Sequence, residues 1–377
     1  ATGAGFIGQG VQVSTVQRVY SEFLYSQVLR AQTQSSQLDA YYTQTKQIDN
    51  MLADPSSGLS PALQSLFSGV QEVAANPGSV PARQALLSTA QTLVARFHEL
   101  NQRLSDIRNG INSQITSSVS EINSLAQQIA RLNENIMLAE NAAGGQPAND
   151  LLDQRDALVA QLNREITATV VRQSDGSYNV FIGNGQALVV GTQTLTLKAI
   201  ASSADPATTV VGYVSGGSAI PIPESALQGG NLGGYLAFRS GTLDSAQNAL
   251  GRVAIGLAQT FNDQHQLGQD LNGAIGGAFF TVPVPQVISN TGNNPASSIA
   301  AVIDDVGALS VSDYRFSFDG TNYRLTRLSD NVSVSTAVLP TAGSPLGLDG
   351  ISITGATFNA NESFIIQPTR NGARDIA

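Results

Sequence analysis

Cysteine is absent. Its absence excludes disulfides, thiolate nucleophiles and cysteine-based zinc sites, and it suits either an intracellular chain or one exported without oxidative folding. Charge is scarce: Asp, Glu, Lys and Arg make up 12% of the residues, against about 25% in ordinary globular domains. Solubility must therefore come from Gln, Asn, Ser, Thr and Gly. The charge present leans acidic, net −9, with no basic patch and little aromatic interleaving, which argues against a nucleic-acid partner. No run approaches the roughly 18 consecutive apolar residues of a spanning helix, so no membrane insertion is expected. The opening ATGAGFIGQG has no Met and no charged–apolar–small leader pattern. The expectation is a piece of a longer protein.

What is present points to several cores. The 377 residues, 42% of them hydrophobic, exceed the roughly 250–300 at which one core stops growing. Residues 1–10 read as a Gly-rich loop. From Val11 to Ala53 nothing breaks a helix, and Leu24, Val28, Ala31, Leu38, Tyr41, Ile48 and Leu52 mark its predicted stripe; DPSSG at 54–58 ends it. A short helix follows on Ala62, Leu63, Leu66, Val70 and Val73, stopped by the Asn-Pro-Gly at 76–78. The next helix carries the strongest pattern. Ser79 is placed to cap it and Pro81 sits in its first turn. Leu93, Phe97, Leu100, Leu104, Ile107, Ile111, Ile115, Val119, Ile122, Leu125, Ile129, Leu132 and Ile136 then recur every ~3.6 residues, the period of a nearly straight helix. From Pro81 to Glu140 such a rod measures about 90 Å, and GGQP at 144–147 ends it.

After Ile166 the period changes to two. TATVVRQ, YNVFIGNGQALVVG and TLTLKAI read as strands, with tight turns at Asp175-Gly176 and Asn184-Gly185, and a Gly- and Pro-rich span at 202–230 closes the region. Residues 229–268 are helical again, with Leu236, Leu243, Leu250, Ile255, Leu257 and Phe261 on the stripe. Residues 270–377 return to β. Tyr314, Phe316 and Phe318 alternate, Asp319-Gly320 turns, and Tyr323 and Leu325 answer; SVSTAV, GISITGATF and ESFIIQPTR supply further strands, and SDGSYNVFIGNG has a similar hairpin style. The predicted fold class is α+β multidomain: an elongated, rod-like helical bundle with outward β-rich domains. The expected division is a discontinuous helical domain, 1–166 plus 229–268, a small β domain, 167–228, and a second β-rich domain, 269–377.

The densest charge lies in NDLLDQRDALVAQLN, where Asp150, Asp153, Arg155 and Asp156 place four charges within seven positions. A catalytic cluster, a metal site and a scaffold are the three readings. Asp150 stands where a helix cap stands and Asp153 where the capping-box acid stands, both at the favourable end of the helix dipole. Arg155 lies on the apolar seam of Leu151, Leu158, Leu162 and Ile166. Its neighbours at three and four residues are Leu151, Leu152, Leu158 and Val159, so its partner belongs to another segment or another subunit. Arg155 and Asp156 are expected to form pairs within the bundle. Arg239, in the phrase YLAFRSG, is grouped with these four as structural.

Other chemistry finds little support. His98 sits beside Phe97 in the long helix, where a structural ring is favoured over a catalyst. His265 stands near Asn262, Asp263 and Asp270, yet HExxH spacing and a second nearby histidine are missing, and a helix-end histidine complementing the dipole is the better reading. GGNLGG before a helix lacks the Lys-Ser/Thr of a phosphate loop and reads as a flexible crossing. DLNG lacks the remaining ligands of a calcium loop, and there is no Gly-x-Ser-x-Gly elbow. No catalytic, cofactor-binding or metal residue is assigned; carboxylate pairs distant in sequence leave no local signature. The long, sparsely charged helices suit lateral packing against copies of themselves, and periodicity alone fits a self-contained antiparallel bundle equally.

FIGQGVQVSTVQRVYSEFL, NDLLDQRDALVAQLN, GGNLGGYLAFRSGTLDSAQNALG, LAQTFNDQHQLGQDLNG and SFIIQPTRNGA, in this order over most of the chain, resemble the first hook-associated proteins of bacterial flagella. The resemblance is weakest at 200–228 and 283–312. It implies a structural, non-enzymatic axial protein without cofactors, extracellular, exported without a cleavable signal through the flagellar type III channel and assembled by helix packing at the hook–filament junction. The implied partners are hook protein, the second hook-associated protein, copies of itself and an export chaperone bound to a missing C-terminal end. The family's terminal polymerisation helices are not seen, so the fragment is expected to be monomeric in dilute solution. Another axial flagellar protein, a second hook-associated protein or a divergent flagellin, and a secreted adhesin on a helical stalk are the alternatives.

Overall fold

The computed structural model describes residues 18, 21–52, 58–270, 272–355 and 358–377. The opening loop at 1–10, the start of the first predicted helix at Val11, most of the 54–58 breaker, Leu271 of DLNG and residues 356–357 of GISITGATF lie outside them. Helix α1 runs Glu22–Leu52, α2 Leu59–Ala75, α3 Val80–Ala142 and α4 Asn149–Glu165. Strands β1 Ala168–Arg172, β2 Tyr178–Ile182, β3 Gln186–Val190, β4 Gln193–Thr194, β5 Leu197–Ala201, β6 Thr209–Ser215 and β7 Ser218–Pro221 follow. Helix α5, Gly230–Ala237, widens into a π turn over Phe238–Leu243 and continues as α6, Asp244–His265. Then come β8 Gln286–Ser289, β9 Ile299–Ile303, β10 Tyr314–Phe318, β11 Tyr323–Arg327, β12 Ser333–Thr336, β13 Leu346–Leu348, β14 Ile351–Gly355, β15 Glu362–Gln367 and a last turn of helix, α7, Gly372–Asp375. The fold is α+β and multidomain, with a long helical region and several sheets.

Helix α3 follows its periodic stripe closely. Of the thirteen predicted positions all but Ile107 and Leu132 are buried. Ser79 Oγ accepts the Ala82 N–H (3.3 Å), as a cap should, and the helix ends before Gly144 and Gly145, both at positive φ. Helix α1 departs from its predicted stripe. Of the predicted stripe Ile48 is buried, but Leu24, Val28 and Leu38 are exposed, and Leu29, Thr33, Ala40 and Met51, outside the stripe, are buried. The buried row carries small and polar residues because Thr33 bonds Asn163 Oδ1 (3.1 Å) and sits against Gly229, contacts that periodicity does not register.

The chain forms two compact units. One comprises 1–37, 118–197 and 213–233. In it β1–β4 form an antiparallel sheet in sequence order, with β1 and β2 in register from Ala168 opposite Ile182 to Arg172 opposite Tyr178. Val180, Ile182, Leu188 and Val189 on the sheet are buried, as are Val159, Leu162 and Ile166 on α4 and its exit. The GGNLGG stretch is not a flexible crossing. Gly229 and Gly230 adopt positive φ, and a Cβ on Gly230 would stand 2.3 Å from the Glu165 carbonyl carbon, so these glycines permit a close backbone approach. Asn231 Nδ2 then donates to Glu165 Oε1 (2.7 Å), whose other oxygen accepts from Ser118 Oγ (2.6 Å).

The other unit comprises 38–117, 198–212 and 234–377. Its five-stranded sheet has the order β12-β11-β10-β15-β8, accompanied by a three-stranded sheet, β13-β14-β9. The predicted hairpin is present in the expected register: Phe316 opposes Leu325 and Phe318 opposes Tyr323. Asp319 Oδ1 accepts the N–H groups of Thr321 and Asn322, closing the turn through Gly320. Tyr314, Phe316, Leu325, Ile351, Ile353, Phe364 and Ile366 form the core, and Ile255 of α6 joins it. The span 202–230 contains two strands, β6 and β7, which with β5 make a fourth sheet, in the order β5-β6-β7. Its Gly-Gly and Pro residues serve as the turns and edges of that sheet, which masked TVVGYVS.

Candidate functional site: buried arginine networks

In the first unit, α4 positions the charges of NDLLDQRD. The helix begins two residues earlier than a cap at Asp150 requires. Ala148 precedes it, and its carbonyl accepts the Leu151 and Leu152 N–H groups, both at 3.0 Å, with no side-chain cap bond. Asp150 lies inside the first turn, and Asp153 reaches Arg18 (2.9 Å) instead of the helix end. The capping roles of both are thereby corrected: the run Gln146-Pro147-Ala148 turns into the helix on backbone bonds alone. Asp156 is buried, pairs with Arg18 (2.5 Å), accepts from Tyr178 Oη (3.0 Å) and, through its carbonyl, from Tyr25 Oη (2.6 Å).

Arg155 is fully enclosed. Its partners lie on other segments, as its neighbours in the helix required, but they are not carboxylates, which corrects its reading as a pair former. Nη1 donates to Asn133 Oδ1 and to the Gly176 carbonyl, each at 2.9 Å, and the guanidinium lies 3.5 Å over the Tyr178 ring. Nε and Nη2 have no hydrogen-bond partner. The face of the ring supplies cation–π attraction in place of a counter-ion. Burial pulls the Arg155 pKa down, while burial and the Asp156 charge push the Tyr178 phenol up. Asn133 of α3 is the hub: its Nδ2 donates to the Tyr178 and Gly191 carbonyls (2.9 and 2.6 Å), and its Oδ1 accepts the Tyr178 N–H (3.1 Å). Asp175 accepts from both Ser177 N and Oγ (2.9 and 2.7 Å), and the turn presents the Gly176 carbonyl to Arg155. The cluster pins α4, α3 and the β1–β2 turn together.

The second unit contains a larger network. Arg239, buried in the π turn, donates through Nη1 to the Thr209 carbonyl (2.6 Å). Arg108 of α3 reaches Asp244 and donates to Gln247 Oε1 from Nη2 (2.6 Å); burial pulls its pKa down. Arg370, just after β15, pairs with Asp313 and with Asp244 (3.1 Å). Asn248 Nδ2 donates to Asp313 Oδ1 (3.1 Å), and Thr369 Oγ1 donates to Asn248 Oδ1 (2.7 Å). A cleft of about 370 Å³ lined by Arg108, Gln247, Arg370 and Arg374 opens beside it. Sequence reasoning singled out Arg239 and none of the others. Asp244, Asn248 and Arg370 stood inside the quoted phrases GTLDSAQNALG and SFIIQPTRNGA, and a polar residue on an otherwise apolar stripe was the available signal.

Both histidines lie against backbone carbonyls. His98 Nε2 lies 2.8 Å from the Ile376 carbonyl, and His265 Nδ1 lies 2.8 Å from that of Gly277, with its ring against Phe261 and Phe279. Among the described residues no group of three or more His, Cys, Asp or Glu could hold a metal ion, and no helix is long and apolar enough to cross a membrane. The buried charges bond to backbone, amides and one another; what the arrangement does is hold helices and hairpins in fixed register.

Two family models match the chain in succession: the flagellar hook-associated protein FlgK helical domain over residues 45–280, and the D2-like domain of flagellar hook-associated protein 1 over 288–368. Flagellar hook-associated protein 1 of Escherichia coli K12 is 41% identical over 97% of this chain and 66% of that protein. Its counterpart from Salmonella typhimurium LT2 is 42% identical over 99% of this chain and 68% of that protein. The solved flagellar hook junction protein FlgK from Burkholderia pseudomallei superposes with a TM-score of 0.86 at 37% identity, over 93% of this chain and 64% of that one. The chain thus spans about two thirds of the length of the relatives it matches.

Proposed function

The chain belongs to the FlgK family of flagellar hook-associated proteins, and from that premise we propose that it is a structural axial component joining hook to filament, outside the cell. The observation that carries this reading is the ordered match of both family models, helical domain over 45–280 then D2-like domain over 288–368. The side chains support it, since the buried charges of both networks bond within the fold. The protein has no turnover and needs no cofactor in this reading. Residues 1–166 with 229–268 form the assembling helical part, and 167–228 and 269–377 are the β parts mounted on it. Asp150, Asp153, Arg155, Asp156 and Arg239 serve as scaffold.

The partners are hook protein, the second hook-associated protein and copies of itself, met after type III export with a dedicated chaperone during transit. The exposed apolar residues Phe23, Leu24, Val28 and Leu38 of α1 supply surface for lateral helix contacts. A strain lacking the gene tests the reading by electron microscopy of cells and culture medium. Intact hooks on the cells, with filament protein released into the medium and restored to the cell by the full-length gene, is the expected result. Filaments that remain attached without the gene would reject a junction role.

A further inference from the structure

The second network has a feature that a purely structural weld does not need. A single nitrogen, Arg370 Nη2, faces both Asp313 Oδ2 and Asp244 Oδ1. Arg108 reaches the same Asp244 oxygen from α3. Two guanidinium groups and two carboxylates therefore share one space, with Asp313 enclosed and Asp244 part-exposed, and Asp205 is a further acid acting on Arg370. Asp313 is only 7% exposed, and its second oxygen is held by Asn248 of α6. Arg108, Asp244 and Asn248 fall within the 45–280 match and Asp313 within the 288–368 match, while Arg370 follows just after the latter. The backbones of α6 and of the segment after β15 touch directly, since a Cβ on Gly251 would stand 1.7 Å from the Thr369 carbonyl oxygen.

Two carboxylates on one guanidinium nitrogen repel one another, and the better buried of the two gains more from holding a proton. A neutral Asp313 still offers Asn248 an acceptor oxygen, and Arg108 and Arg370 still share ionised Asp244. We propose that this cluster is a proton-operated joint: one proton taken up at Asp313 tightens the attachment of the 288–368 β module to α6, and its loss loosens that attachment. The proposal is independent of the flagellar role above. Burial dominates at Asp313; the attraction of Arg370 opposes it, Asp244 reinforces it, and Asn248 and Arg108 oppose it, leaving the carboxyl at about 6. An acid held above its free value binds its proton more tightly in the closed joint than in the open one. Closure is therefore favoured in acid, and that advantage is lost as pH rises through about 6.

Amide hydrogen exchange of the whole chain, corrected for the intrinsic pH dependence of exchange, reads the joint at residues 248–255, 311–315 and 369–372. Opening is expected to fall by about tenfold between about pH 7.5 and about pH 5 in the wild type. Asp313→Asn should show no such dependence. Asp244→Asn, which removes the repelling carboxylate, should keep the dependence with its midpoint moved to lower pH. A wild-type joint insensitive to pH in this window, or an Asp313→Asn joint that keeps the wild-type slope, overturns the proposal. Should Asp313→Asn fail to fold, an unshifted midpoint in Asp244→Asn overturns it.

Discussion

Arg155 takes a full charge into an enclosed space and finds an amide, a carbonyl and a ring there instead of a carboxylate. Its replacement by Ala strips Asn133 Oδ1 and the Gly176 carbonyl of a donor and leaves a void beneath Tyr178, so thermal or urea unfolding should show a loss of about 2–4 kcal/mol. Arg155→Met, which refills the space without a charge, should lose clearly less, because an enclosed cation repays its desolvation poorly. The two enclosed phenols offer a spectroscopic check. Tyr178 is pushed up by burial and Asp156, and Tyr314 by burial and its bond to Asp349. Each therefore favours the folded chain while the phenol is protonated, and that contribution fades as pH rises through the raised folded value. In an ultraviolet absorbance titration both should ionise after ordinary tyrosines, together with unfolding; Tyr178→Phe should remove one late step. At this scale the sequence showed that Arg155 needed a distant partner, because its helical neighbours are all apolar. It could not show that the partner would be Asn133 and Tyr178, which only the packing of three segments brings together.

Glycines separate two kinds of helix. Gly110 of α3 faces open space, so Gly110→Ala should stabilise the chain by about 0.5–1 kcal/mol through helix propensity alone, read as a raised melting temperature. Gly251 of α6 has the Thr369 carbonyl where its Cβ would be. Gly251→Ala should therefore cost about 3 kcal/mol or more and raise exchange at 369–372 before elsewhere. The same contrast explains which elements were legible. Helix α3 buries one regular row of large aliphatics, so its stripe, cap and end stood in the letters. Helix α1 buries Thr33 and Ala40 and leaves Leu24, Val28 and Leu38 exposed, because its contacts are chosen by polar partners and close glycines. The β10–β11 hairpin was legible down to its register, since alternation and Asp-Gly fix both. Strands β6 and β7 were not, because their Gly and Pro residues looked like a connection.

For the whole molecule, low charge makes a prediction of its own. Charged residues make up only 12% of the chain. Among the described residues the exposed pairs, such as Arg103 with Glu99, contribute little, and Arg18 with Asp156 and Arg370 with Asp313 are enclosed and poorly screened. Raising NaCl from about 0.05 to about 1 M should move the melting temperature by only a few degrees, in contrast to a protein whose stability rests on surface pairs. Some of this protein was determined by sequence alone: the α+β class, the long helix, the hairpins, the absence of thiol chemistry, and the family, whose phrases recur in order. These follow from period, turn chemistry and residue identity, all of which act between near neighbours. The tertiary structure alone decided that α4 starts on Ala148, that Arg155 rests on a tyrosine, and that Arg108, Asp244, Asp313 and Arg370 meet. Such groups lie far apart along the chain, and burial gives each its partner only when the backbones, made narrow by glycine, have closed around it.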